Sequence, residues 1–232
     1  MNPPAFAPPP PPPLPEHRQA NAARKRVQTR ERILQATVAA CTADRHRPPL
    51  VEDVVDKARV SRGTFYNHFE SIDAALAALG EDFTRRNMER DERVYGLFDE
   101  KWKRASVGFR LVYTRALHDP AWAAVLVRTA AWVREGAFSD FVLRELTEGR
   151  ASGQYRVPDE RVALDLVRGM LTQGVASLHR GVADPAAYID GLIHLVLQGL
   201  GCTPQQCVDG VQMSRQFLAS DVPEELSRLY AV

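Results

Sequence analysis

Ten consecutive residues, VSRGTFYNHF at positions 60–69, gather hydrogen-bond donors onto a segment with little aliphatic bulk. Arg62 carries a planar fork of N–H groups that fits guanine or phosphate. Ser61 and Thr64 can reach phosphate or a thymine methyl, and Tyr66, Asn67 and His68 supply further donors. Gly63 removes a side chain, so the backbone there can approach another molecule closely. Val60, Phe65 and Phe69 are spaced to face inward and lock the segment onto neighbouring helices. This is the chemistry of reading a polyanion and its base edges, with no bond made or broken.

The flanking pattern supplies a frame for those residues. Ile33, Leu34, Thr37, Val38 and Cys41 repeat at helical spacing, with Thr29 as the expected cap and Glu31 near the positive end of the dipole. Pro48-Pro49 breaks the chain. LVEDVVDKA, 50–58, reads as a short second helix burying Leu50, Val51, Val54, Val55 and Ala58. Only Arg59 and Val60 separate it from Ser61, the expected N-cap of a third helix through Phe69. Ser71 is expected to cap a fourth. Two short helices joined by so tight a turn form a helix-turn-helix, whose second helix enters the major groove.

Ahead of this unit runs HRQANAARKRVQTRER, with Arg18, Arg24, Lys25, Arg26, Arg30 and Arg32 opposed by Glu31 alone. Such an arm can follow backbone phosphates or enter the adjacent minor groove, and it can equally be a solvated charge run. The first residues, MNPPAFAPPPPPPLPEH, have neither a charged n-region nor a continuous apolar stretch, and are expected to form a solvated polyproline tail. The 232-residue chain has a net charge of +1, which excludes a uniformly basic coat. Three cysteines, at 41, 202 and 207, provide no disulfide framework and suit a reducing cytoplasm. Cys41 lies on an apolar stripe; Cys202 and Cys207 are expected in a loop. No run of roughly 18 apolar residues is present.

SRGTFYNHF, placed after VEDVVDKARV and before SIDAALAAL, resembles the TetR family of bacterial transcriptional regulators over about residues 28–80. The resemblance implies that Tyr66 and His68 grip phosphates while Arg62, Gly63 and Thr64 face the bases and their flanking backbone. It also implies a ligand-released repressor that pairs through a four-helix interface. Four positions depart from the family pattern. Arg59 stands where a glycine is common, Leu50 where a threonine caps the second helix, Ile72 where a lysine opens the fourth, and Cys41 where an aromatic ends the first.

The rest of the chain repeats at a helical period without strand-like alternation, so the expected fold is all-α. The expected organisation is a disordered Pro-rich tail over 1–20, a helix-turn-helix DNA-binding domain over 21–75, and a helical effector-binding and dimerisation domain over 76–232. Helices 159–180 and 185–200 are the expected homodimer contacts, because Gly169, Thr172, Gly174, Ala176 and Ser177 permit close approach. Trp102, Phe109, Tyr113, Trp122 and Trp132 are either core or the wall of a cavity for a small apolar or aromatic effector, and Phe138 and Phe141 belong to the same aromatic pattern. Most carboxylates fall beside Arg or Lys at helical spacing and read as solvated pairs. There is no Gly-rich phosphate loop, G-x-S-x-G, H-E-x-x-H or paired C-x-x-C, so no enzyme, metal or cofactor is implied. The expected function is a DNA-binding regulator acting on a palindromic operator, with a helical protein-binding adaptor as the rival.

Overall fold

The computed structural model describes residues 16–43, 47–128 and 136–220, and among these the only regular elements are helices. They are α1 (Glu16–Ala43), α2 (Val51–Ala58), α3 (Arg62–Tyr66), α4 (Ile72–Tyr95), α5 (Lys101–His118), α6 (Pro120–Arg128), α7 (Ala137–Ala151), α8 (Glu160–Arg180), α9 (Pro185–Gly199) and α10 (Pro204–Ser220). The expected all-α class is the observed one.

The first helix starts earlier than its apolar pattern indicates. Thr29 lies inside α1 and does not cap it, and residues 16–20 belong to the helix, not to a disordered tail. No proline or glycine falls between Glu16 and Ala43, and Ala20, Ala22, Ala23, Arg24, Lys25 and Arg26 are good helix formers. Residues 20–28 are all exposed. Burial begins at Ile33 and Leu34, which meet Val54, Val55, Ala58, Phe65 and Phe69 in a small core. Leu76 and Leu79 of α4 join it, as do Ala124 and Val125 of α6. The expected boundary at 75/76 therefore falls inside α4, and α6 packs directly onto the helix-turn-helix.

A larger core unites α5 to α10 through Phe109, Tyr113, Trp122, Leu146, Leu171, Val175, Ile193 and Leu197. Val94 at the far end of α4 packs instead with Val107, Leu111 and Phe217. Gly174 and Ala176, expected at a subunit contact, are buried within the chain; a Cβ at Gly174 would stand 2.5 Å from Tyr113 Cε1 and 2.9 Å from Leu192 Cδ1. The reason for Gly174 is orientation: it faces Tyr113 of α5 and Leu192 of α9. Elsewhere on α8 and α9, Val162, Leu166 and Leu195 remain exposed, and Cβ atoms at Gly169 and Gly191 would meet open space.

Two polar clusters that read as solvated pairs are inside the body. Arg110 is buried and donates to Asp190 (2.6 Å) and Ser214 (2.8 Å), while Arg215 also donates to Asp190, tying α5, α9 and α10 together. Burial pulls the Arg110 guanidinium below its usual range, against the opposing pull of Asp190. Lys101 is equally buried and donates to Glu145 (2.9 Å) and Glu148 (2.6 Å). Periodicity could not reveal either cluster, because it places a residue on a face without saying what covers that face.

Candidate nucleic-acid interface and helical-body cavity

Leu50 begins α2 without a side-chain acceptor, as its type requires. The compensation comes from Asp53, which accepts from the Leu50 N–H at 2.8 Å and from both contacts of Arg47 at 2.9 Å. Those bonds, the Arg47 one foremost, hold the Asp53 carboxyl below the usual carboxylate range. Arg59 then ends α2 in the left-handed conformation, φ 52° and ψ 50°, where a Cβ is disfavoured. It is the one non-glycine residue with positive φ among those described. Its turn delivers Ser61 as the α3 N-cap, whose hydroxyl accepts from the Thr64 N–H at 3.0 Å.

With Phe65 fully buried and Phe69 nearly so, the opposite side of α3 must face outward. Ser61, Arg62, Gly63, Tyr66 and Asn67 are exposed there, while Thr64 and His68 are half-buried. Arg62 forms an exposed ion pair with Glu52 at 2.8 Å. A hydrogen bond with Tyr66, followed by the Glu52 charge, raises the Arg62 guanidinium above its usual range. Tyr66 meets Phe65 edge-on at 5.5 Å, which braces its ring, and the residue as a whole stays exposed. Gly63 has open space before it, with Ser61 Oγ 3.8 Å from where a Cβ would stand.

Arg24, Lys25 and Arg26 are exposed on α1. Arg30 lies over the Phe69 ring at 5.2 Å, so α1 runs past the C-terminal end of α3. Burial first, then the positive charges of Arg26 and Arg30, hold the His68 imidazole below its usual range. An anion placed among these three groups would relieve that repulsion. The basic segment is thus a helix standing beyond the small core, a firmer element than a flexible arm.

The aromatic residues of the body divide differently from expectation. A cavity with 70 Å³ of space open to the centres of water-sized spheres lies among α4, α5, α7 and α8. Of the five aromatic candidates, Phe109 lines it. Tyr113 is buried with its hydroxyl donating to Met170 O at 2.9 Å, and burial raises its phenol strongly. Trp122 is packed under Arg115, Trp102 lies beside Lys103, and Trp132 falls outside the described residues. Phe138 and Phe141, part of the same expected aromatic pattern, line the cavity with Phe109, and Tyr95 and Tyr155 join them. Tyr95, the last residue of α4, stacks on Phe141 at 5.2 Å and 24°.

One corner of this cavity is polar. Arg104 and Glu145 line it, and Arg104 Nη1 donates to Glu145 Oε1 at 3.3 Å. Arg104 Nε is held by Phe98 O at 2.7 Å. The Tyr155 hydroxyl is spent on Lys101 O at 2.7 Å, and burial raises its phenol.

Cys202 and Cys207 are both buried, and Cys207, expected in a loop, belongs to α10. The missed signal is T-P-Q-Q. Thr203 Oγ1 accepts from the Gln206 N–H at 3.2 Å, and Gln206 Oε1 accepts from the Thr203 N–H at 2.9 Å, a reciprocal capping box. Burial pushes the Cys202 thiol up to about 12, which makes it a poor nucleophile or ligand at neutral pH.

No family profile and no curated protein matches the sequence. Solved structures do resemble the fold. RolR in complex with its ligand resorcinol matches at a TM-score of 0.60 and 19% identity, over 87% of this chain and 98% of that one. The transcriptional regulator FadR from Bacillus subtilis, in complex with stearoyl-CoA, matches at 0.58 and 19% identity, over 73% and 98%. FadR from Bacillus halodurans, a fatty acid degradation regulator, matches at 0.57 and 16% identity, over 75% and 97%. At these identities the likeness establishes a shared all-helical architecture. No helix among the described residues is long and apolar enough to cross a membrane.

Proposed function

We propose that this protein is a sequence-specific DNA-binding transcriptional regulator of the TetR type, a homodimeric repressor released from a palindromic operator by a small-molecule effector. One observation carries the reading. The outward side of α3 presents Ser61, Arg62, Gly63, Tyr66 and Asn67 to solvent, while Phe65 and Phe69 anchor it from behind. In the complex, Arg62, Gly63 and Thr64 meet base edges and adjacent backbone, Tyr66 and His68 hold phosphates, and Asn67 contributes a donor. Arg24, Lys25 and Arg26 on the extended α1 add phosphate contacts outside the groove.

The larger body supplies pairing and control. The outward side of α8 and α9, with Val162, Leu166 and Leu195 exposed around Gly169 and Gly191, is the subunit contact. Pairing repeats the α3 reader about a two-fold axis and doubles the phosphate contacts. Helix α4 links the two functions, since Leu76 and Leu79 sit in the reader's core and Tyr95 walls the cavity. An effector that favours one placement of Tyr95 therefore biases the separation of the two readers. FadR, a transcriptional regulator bound to stearoyl-CoA, and RolR, bound to resorcinol, lend support by having the same architecture with ligands.

Selection of duplexes from a random DNA pool tests the proposal. The expected product is a two-fold symmetric sequence whose affinity falls steeply with salt, with a log–log slope of about −0.9 per phosphate contacted. Tyr66→Ala and His68→Ala should weaken that affinity while leaving a folded dimer. Absence of any enriched palindrome would remove the regulator reading. Weak salt dependence would favour a protein-binding adaptor.

A further inference from the structure

The cavity is chemically asymmetric, and its asymmetry narrows what it can hold. Most of its wall is apolar, with the rings of Phe109, Phe138 and Phe141 among its lining. An aromatic lining of this kind rewards a flat aromatic guest in offset or edge-on contact. The polar corner holds two charged side chains, Arg104 and Glu145, already bonded to one another. Glu145 Oε1 also accepts from Lys101 Nζ, and neither Glu145 Oε2 nor Arg104 Nη2 makes a hydrogen bond among the described residues.

A hydroxyl satisfies both groups at once, donating to the carboxylate and accepting from the guanidinium. A guest carboxylate would face Glu145, and a guest ammonium would face Arg104 with Lys101 behind it. Either charge would also lose its water on entering.

We infer that the cavity binds an uncharged aromatic alcohol, its ring against Phe109 and Phe138 and its hydroxyl between Glu145 and Arg104. The inference rests on the reading that the helical body receives an effector, but it concerns the ligand's chemistry and is measured without DNA.

Calorimetric titration of the full chain with phenol, 1-naphthol, naphthalene, 1-naphthoate and decanoate provides the test. Phenol or 1-naphthol should bind at least tenfold more tightly than any of the other three. In Glu145→Gln, which keeps the side chain's shape, the preference for 1-naphthol over 1-naphthoate should shrink by about tenfold. Thermal denaturation of that variant checks that it remains folded. If it does not, Arg104→Gln should show the same loss of hydroxyl preference. Tighter binding of naphthoate or decanoate, no binding of either alcohol at millimolar concentration, or an unchanged preference in both folded variants would overturn the inference. Anisotropy with the selected duplex then separates the two readings. An alcohol that binds without changing DNA affinity leaves the ligand class standing and removes effector control; release by decanoate alone does the reverse.

Discussion

Replacing Gly63 by alanine separates the folding role of that glycine from its role at the proposed interface. In the free protein the added methyl meets nothing nearer than Ser61 Oγ, 3.8 Å away. Position 63 lies in the first turn of α3, where alanine gains about 0.5–1 kcal/mol over glycine by restricting the unfolded chain. That gain corresponds to a Tm rise of about 1–4 °C for a chain of this size. Against DNA the same methyl occupies space that the backbone needs for close approach, and the hydrogen bonds of Arg62 and Thr64 on either side lengthen with it. Weakening one such bond per half-site costs at least about 1.4 kcal/mol, so two half-sites give about a hundredfold loss in affinity. Thermal denaturation and fluorescence anisotropy with the selected duplex, at one salt concentration, read both effects. A raised Tm with unchanged affinity would refute the placement of Gly63 against DNA. A lowered Tm would refute the reasoning from open space.

Three further outcomes follow from local geometry. Arg59→Gly should stabilise the protein by about 1 kcal/mol in urea denaturation, because glycine adopts the left-handed conformation without a Cβ penalty. Gly174→Ala should lose about 1–3 kcal/mol despite alanine's helix preference, since its Cβ would stand 2.5 Å from the buried Tyr113 ring; a neutral or stabilising result in the same assay would show that this ring can yield. The Asp53 carboxyl titrates below its unfolded value, so its stabilising effect is full above about pH 4 and is lost as pH falls through the lower folded value. The Tm difference between wild type and Asp53→Asn should therefore be largest at neutral pH and shrink in acid.

Much of the helix-turn-helix was legible locally. Val54, Val55, Phe65 and Phe69 occupy the core that their spacing indicates, and Ser61 caps α3 as its type indicates. The start of α1 was not legible, because a cap candidate at Thr29 competed with an unbroken run of helix formers before it. The cavity was less legible still. Tyr113 shares the helical spacing of Phe109 on α5, yet Tyr113 only fills the core while Phe109 also reaches the cavity.

The division has a physical basis. Backbone propensity, capping and the apolar period act over a few residues, so sequence alone determined that this chain is helical and that positions 61–68 form an outward-facing set of donors behind a buried aromatic pair. Which helices cross, and at what distance, depends on how whole faces interlock across the chain. Only that packing brought Arg104 of α5 beside Glu145 of α7, set Tyr95 against Phe141, and carried α6 onto the helix-turn-helix core. Those contacts join residues tens of positions apart, where no local pattern records the pairing, because each partner's environment is supplied by another part of the chain.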